Sequence, residues 1–499
     1  MKKIRTRLAP SPTGFLHIGG LRTALYCYLY AKKNQGIFFL RIEDTDQGRF
    51  VEGAIENLVN SLHTCGINPD EGVLFENGHV VQKGEYGSYI QSERLPLYQK
   101  HALELIEKGH AYYCFCSQER LEEMRKLQME QKKPPMYDRL CLSLTAEDIE
   151  EKKKQSIPFV IRQKIPHDRK VEFEDLVRGK VSFEGSNLDD QVLLKSDGFP
   201  TYHLAHVVDD HFMKTQPVIR GEEWLPSLPK HILLFEAFGW EAPQYAHLPL
   251  LLNTNKTKLS KRDGDVAVED YLKKGYLPEA LINFVVFLGW NPGTEQEIFS
   301  FEELIQAFSL GRIHKGGAVF DVKKLDWING EYIKKMIKED IDHFYQLVKP
   351  FIVGHVPVED EALIKKVLQD PDFEGRFKKL SEIPEGLAPL FSELPAYPLE
   401  LIALAKFNIT PELLKPVMEK AIEKVQAMEW EKGDSSKTQQ ISDVFVSIVT
   451  ELELKNGQVL WPIRVALSGL EKSPNFATLA VYLGKEEVLK RLEVALKKI

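Results

Sequence analysis

The sequence has no apolar run approaching the ~20 residues that a membrane-spanning helix needs. Its first residues, Met1-Lys2-Lys3-Ile4-Arg5-Thr6-Arg7, place charges where a secretory signal carries its apolar core. Membrane insertion and export by that route are therefore not expected. Cysteine is scarce, five in 499 residues and an odd number, which does not make a disulfide framework and leaves thiol or metal-ligand roles in a reducing cytoplasm. Neither sign of charge dominates, since 65 Lys and Arg face 73 Asp and Glu for a net charge of -8. That balance argues against a chain that coats nucleic acid indiscriminately but permits a locally basic groove. There is no internal repeat at a solenoid period and no low-complexity tract. With 43% hydrophobic and 28% charged residues, long disorder is excluded, and the length suggests roughly three domains.

What is present begins with a short strand, Ile4 to Leu8, running into Ala9-Pro10-Ser11-Pro12-Thr13-Gly14, whose two prolines forbid a helix. Apolar residues at helical spacing follow from Leu21 to Ala31 until Asn34 to Gly36 stop them. Ile37 to Ile42 then reads as a buried strand ending at Glu43-Asp44-Thr45-Asp46, which completes a βαβ unit. A second α/β half appears late, with a strand at Pro217-Val218-Ile219-Arg220 and a helix from Leu228 to Phe238 closed by Gly239. Between the halves lie the cysteines from Cys114 to Cys141, a Lys/Glu-rich stretch from Glu147 to Lys154, and short alternating segments at 159–162 and 191–195. An inserted α+β domain would explain them. After about residue 330 the texture becomes amphipathic and helical; Val488, Leu492, Ala495, Leu496 and Ile499 share one helical face.

In an open α/β sheet, ligands sit beyond the C-terminal ends of the strands, where helix N-termini present N–H groups to phosphate. Residues Ala9 to Gly20 occupy such a place, with Gly14, Gly19 and Gly20 permitting close backbone approach and His17 a potential donor. By itself this short pattern also fits an ordinary glycine-rich connection. Downstream, Lys256, Lys258, Lys261 and Arg262, framed by Gly264, place four cations in eight residues, suited to clamping phosphates or, read singly, to a solvated charged face.

Together, Ser11-Pro12-Thr13-Gly14 with His17-Ile18-Gly19, and Lys258-Leu259-Ser260-Lys261-Arg262 far downstream, resemble the HIGH and KMSKS signatures of class I aminoacyl-tRNA synthetases. The segments 41–46, Gln91-Ser92-Glu93-Arg94, Pro200-Thr201-Tyr202-His203 and 218–224 are similar to bacterial glutamyl-tRNA synthetases, closely in the first 330 residues and more loosely in the helical remainder. One position departs: the second histidine of HIGH is Gly20, so backbone N–H groups and Lys261 would have to hold the charge. The resemblance implies that Arg7 and Arg220 hold a substrate carboxylate, and that Glu43, Ser11 and Ala9 meet the amino acid's own polar groups beside Tyr202. Gly19, Gly20, Glu223, Trp224 and the segment Lys258, Leu259, Ser260, Lys261 and Arg262 would meet ATP. His17, Lys258 and Lys261 would stabilise developing charge. Without a ligand role, Tyr202 and Trp224 would be core aromatics, and Arg7, Arg220 and Glu43 structural ion pairs.

The implied activity is ATP- and Mg²⁺-dependent activation of L-glutamate to glutamyl adenylate, then transfer to the terminal adenosine of glutamate tRNA, by a cytoplasmic monomer without membrane contact. The implied architecture is an α/β Rossmann-type catalytic domain, split over 1–95 and 204–254 with a parallel sheet. An α+β insertion for the tRNA acceptor end spans 96–203, and a linking domain spans 255–335. An all-α C-terminal region holds anticodon-binding domains at 336–395 and 396–499, with Arg376 roughly where relatives read the third anticodon base. Glutaminyl relatives carry a β-barrel there, so the helical tail favours glutamate. A nucleotidylyltransferase or a tRNA-binding protein with a dead site are the rivals; intact His17, Glu43, Arg220 and Lys261 argue against the second.

Two clusters suggest metals. His203, His206 and His211 with Asp209 and Asp210 have ligand chemistry, yet the resemblance accounts for the segment without a metal. Cys114, Cys116 and Cys141 resemble the cysteines of zinc-bearing relatives. Where some of those carry a histidine two positions after the last cysteine this chain has Ser143, so Tyr137 is the expected fourth ligand of a structural zinc. The plainer reading is three small buried residues.

Overall fold

The computed structural model describes residues 3–259 and 267–499. Strand β1 (Arg5–Leu8) is buried along its whole length. Alternation along the strand sends Arg5 and Arg7 to one face and Thr6 to the other, where Thr6 Oγ1 donates to the Cys27 carbonyl of α1 (Ile18–Lys33) at 2.7 Å. β1, β2 (Ile37–Leu40), β3 (Glu71–Glu76) and β4 (His79–Lys83) form one sheet in that order. Its first three strands are parallel and β4 folds back antiparallel. Helices α2 (Ala54–Thr64) and α3 (Leu95–Glu107) lie on either side of the β3–β4 hairpin in sequence.

The segment expected as an insertion is divided. β5 (Ala111–Cys114), β6 (Val160–Gln163) and β9 (Val192–Leu194) make an antiparallel sheet of their own, accompanied by α4 (Gln118–Glu130) and α5 (Ala146–Lys154). β7 (Lys170–Asp175) and β8 (Gly179–Glu184) instead join β10 (Val218–Gly221) and β11 (Tyr245–Leu248) in a sheet of order β10-β11-β7-β8. β10 and β11 are parallel, as a crossover through α7 (Leu228–Phe238) requires. Gly239 ends α7 in the left-handed conformation. The second sheet meets the first where Arg5 and Gln216 exchange backbone bonds of 3.1 and 2.8 Å. Helix α6 (Tyr202–Phe212) buries Leu204 to Asp210 without a break.

The chain forms two compact units, Met1–Leu272 with Leu281–Val322, and Lys273–Ala280 with Lys323–Ile499. No strand occurs among the described residues of the second unit. Its last helix, Lys485–Leu496, buries Val488, Leu492 and Ala495 as the periodicity predicts, and also Arg491. That guanidinium donates to the carbonyls of Pro389, Leu467 and Ser392 at 2.6 to 3.0 Å, tying its own helix to the C-terminal ends of two others, Ile383–Phe391 and Asn456–Ser468.

Candidate active site

Strands β1, β2 and β10 end at one cleft of about 980 Å³, the place where open α/β sheets bind ligands. The loop 8–20, Glu43 and Thr45, Tyr202, Arg220 to Trp224 except Glu222, Lys258 and Leu259 contribute to its wall.

At one end His17 caps α1, its Nδ1 accepting from Gly20 N at 3.0 Å. In the neutral ring this makes Nε2 the protonated nitrogen, a donor in the cleft wall. The helix starts at Ile18, so Gly19 and Gly20 lie inside its first turn rather than ahead of it. Gly19 leaves room for the imidazole: a Cβ there would lie 3.0 Å from both His17 Cε1 and Nδ1. Ser260, Lys261 and Arg262 lie outside the described residues. On either side of them, Leu259 N donates to Leu251 O at 2.9 Å and Ala267 bridges His17.

Beneath the cleft is a buried ion array. Arg7 Nε and Nη2 both bond Asp210 at 3.1 Å, while Arg41 bonds Asp210 at 2.8 Å and Glu43 at 2.9 Å. Asp209 accepts from Gln91, Arg94 and Tyr98 at 2.8 to 2.9 Å. Burial alone would push Asp210 up, but Arg7 and Arg41 hold its carboxyl well below the usual range. For Glu43 burial prevails over Arg41 and Arg7, and its carboxyl is raised. Both aspartates thus serve arginines, and His211 stacks on Trp240 at 3.8 Å, so the His/Asp segment does not converge on a metal.

Arg220 is held differently. Its Nε donates to His247 Nε2 at 3.0 Å and its Nη1 to Tyr202 Oη at 2.9 Å, while His206 Nε2 and His231 Nδ1 lie 3.3 to 3.4 Å from its terminal nitrogens. Among the described residues it has no carboxylate partner, which suits a guanidinium that receives a substrate carboxylate. Tyr202 lies between Trp224, 4.0 Å away between ring centres, and His206 at 5.2 Å. It is both packed and part of the cleft. Sequence reasoning missed His206, His231 and His247 as companions of Arg220, and Lys195, which lines the cleft and donates to Thr45 O at 3.1 Å.

The three cysteines converge: their sulfurs lie within 4.8 Å of one another. Tyr137 Oη is 3.4 Å from Cys114 Sγ and 3.3 Å from Cys116 Sγ, and Cys116 and Cys141 are 3.5 Å apart. A tetrahedral zinc about 2.3 Å from sulfur and about 2.0 Å from oxygen separates its ligands by about 3.5 to 3.8 Å. The donor set therefore fits zinc. Arg120 Nη1 lies 3.4 Å from Cys116 Sγ and the Arg162 guanidinium 4.1 Å from the Tyr137 ring centre, so two cations border the cluster. Ser143 is exposed and bonded to Leu140 O at 2.9 Å. Arg376 is exposed in a turn, 6.0 Å from the Phe373 ring centre.

Residues 3–327 match the family model described as tRNA synthetases class I (E and Q), catalytic domain, and residues 343–496 match an anticodon binding domain. A glutamate–tRNA ligase of Alkaliphilus metalliredigens is 47% identical over 498 residues, covering 99% of each chain. One from Clostridium novyi is 46% identical over 499 residues, covering 100% of this chain and 98% of that one. The solved glutamate tRNA ligase of Elizabethkingia meningosepticum, described as in complex with its amino acid, is 36% identical with a TM-score of 0.86 over 99% of each chain. Fold and cleft are therefore those of a class I tRNA synthetase with a Rossmann-type catalytic domain and a helical anticodon region. Within that class the chain belongs to the glutamate–tRNA ligases. It activates glutamate and charges tRNA for translation, with ATP, the amino acid and tRNA as substrates. No helix among the described residues is long and apolar enough to cross a membrane.

Proposed function

We propose that glutamate lies in the cleft with its side-chain carboxylate on Arg220, assisted by Arg7, and its ammonium group toward Glu43, with Ala9 and Ser11 meeting its remaining polar atoms. The observation that carries this reading is the Arg220 guanidinium, held by neutral acceptors and by no carboxylate among the described residues. ATP, as its magnesium complex, lies along His17, Gly19 and Gly20, with its nucleoside toward Glu223 and Trp224 and its phosphates toward Lys258, Leu259, Ser260, Lys261 and Arg262. The substrate α-carboxylate attacks the α-phosphorus in line, and His17, Lys258 and Lys261 neutralise charge moving onto pyrophosphate, a positioning and electrostatic catalysis without a covalent enzyme intermediate. The glutamyl group then passes to the terminal adenosine of glutamate tRNA.

We assign the catalytic domain to 1–95 and 204–254, acceptor-end binding to 96–203, the link to 255–335, and anticodon reading to 336–395 and 396–499, with Arg376 contributing. β7 and β8 of the insertion extend the catalytic sheet. Cys114, Cys116, Tyr137 and Cys141 would hold one zinc, whose chemistry is structural, closing the loop between β5 and β6. The enzyme works as a cytoplasmic monomer. Arg220→Ala tests the central assignment: ATP–pyrophosphate exchange in the presence of tRNA should lose about 2–5 kcal/mol in kcat/KM for glutamate. A loss below about threefold removes Arg220 from the glutamate pocket.

A further inference from the structure

Two arginines approach the same cleft and are held in opposite ways. Arg7 is forked onto Asp210, so its charge is compensated and two of its donor nitrogens are occupied. Arg220 is surrounded by imidazoles, and behind two of these rings stands a carboxylate. Asp175 Oδ2 lies 2.6 Å from His247 Nδ1, with both side chains fully buried. A carboxylate only accepts, so Nδ1 carries the proton and Nε2 offers its lone pair to Arg220 Nε at 3.0 Å. Asp175 is itself fixed at the end of β7, where its Oδ1 accepts from Val177 N and Arg178 N at 2.9 Å. His206 repeats the arrangement, with Nδ1 2.9 Å from Asp210 Oδ2 and Nε2 3.4 Å from Arg220 Nη1.

We propose that His247, set by Asp175, is a positioning residue that aims the Arg220 guanidinium at the substrate carboxylate while leaving its charge uncompensated. A carboxylate in place of the imidazole would orient the guanidinium equally well. It would also neutralise it, and the discrimination of a substrate carboxylate from an amide depends on that charge. A neutral acceptor with a fixed tautomer supplies direction alone. This inference rests on the reading that Arg220 receives the glutamate side chain.

The test uses the full-length chain in ATP–pyrophosphate exchange with tRNA present. His247→Leu should raise the glutamate KM about tenfold or more while changing the ATP KM less than about threefold. His247→Gln, whose Oε1 can take the place of Nε2, should restore the glutamate KM to within about threefold of the parent. Arg220→Ala/His247→Leu should be no worse than Arg220→Ala alone. Equal damage from Leu and Gln would mean that His247 acts by packing and would overturn the proposal. An unchanged glutamate KM in His247→Leu beside a raised one in Arg220→Ala would overturn it too, while sparing the reading of Arg220. An unchanged KM in both variants would remove that reading itself. Should His247→Leu fail to fold, the imidazole ¹⁵N spectrum of the parent chain decides: a neutral ring protonated on Nδ1 supports the proposal, and a ring protonated on Nε2 overturns it.

Discussion

His203 and His206 are pushed down to about 3 from an ordinary 6.5, in each case by burial first. Lys230 and Arg220 add to the shift of His203, and Arg220 and Arg7 to that of His206 against the pull of Asp210. Burial moves His231 and His247 in the same direction. As pH falls below about 6.5, imidazoles of the unfolded chain take up protons while these remain neutral, so stability declines progressively toward about pH 3. Glu43, raised by burial, works in the opposite sense over the acid end of that window. Each buried histidine contributes a slope of up to about 1.4 kcal/mol per pH unit. The denaturant midpoint should therefore fall between about pH 6.5 and pH 5.5, and His206→Asn should flatten the fall. A midpoint that holds or rises on acidification would contradict the neutral-histidine interior. Short motifs brought Glu43, Tyr202 and Arg220 to notice in the sequence and the family resemblance added Arg7, and all four line the cleft. The companions of Arg220 were not legible, since His247 and Asp175 stand 72 residues apart and neither has a pattern of its own.

Among the elements, the first turn of α1 carries the sharpest local constraint. Its two glycines look equivalent in sequence, yet the space around them differs. A Cβ at Gly19 would meet the His17 ring at 3.0 Å, and that ring is pinned by the bond from Gly20 N. A Cβ at Gly20 would meet Cδ1 of the buried Leu16 at 2.9 Å but stay 3.8 Å from the His17 ring. Gly19→Ala should accordingly displace the imidazole and lower kcat for adenylate formation about tenfold or more, as small misplacements of a charge-stabilising group do. Gly20→Ala keeps the bond from the residue-20 N–H to the ring and should lower kcat less than Gly19→Ala does. Equal kinetic losses in the two variants would show that the turn, rather than the ring, is what matters. Periodicity located this helix but not its start, because the cap is a histidine, outside the usual capping residues. It also could not assign β7 and β8 to the catalytic sheet, since strand alternation fixes which face is buried and not which strand lies alongside.

At the scale of the whole molecule, the chain leaves its first unit and returns to it before the helical remainder begins. Lys273–Ala280 belongs to the second unit although Leu281–Val322 belongs to the first. This excursion is anchored by Asn329 Oδ1 accepting from Leu277 N at 2.8 Å, Tyr276 Oη bonding Asp326 at 2.5 Å, and Leu380 N donating to Gly275 O at 3.0 Å. Tyr276 and Leu277 are buried within it. The change of texture near residue 330 revealed the helical region, whereas an eight-residue excursion is too short to alter composition and left no mark in the sequence. A truncated chain ending at Val322 should keep the cleft residues, which all precede Leu272, and lose selectivity among tRNA anticodons. It should also uncover Tyr276 and Leu277, each costing about 1.5–3 kcal/mol of lost burial, so that the backbone beside the exposed Lys273 and Lys274 loses its anchors and can open. Limited trypsin digestion should therefore cut the 1–322 chain at these lysines while sparing the full-length chain, as local opening follows lost burial. Equal resistance in the two chains would mean that 273–280 is held by the first unit after all.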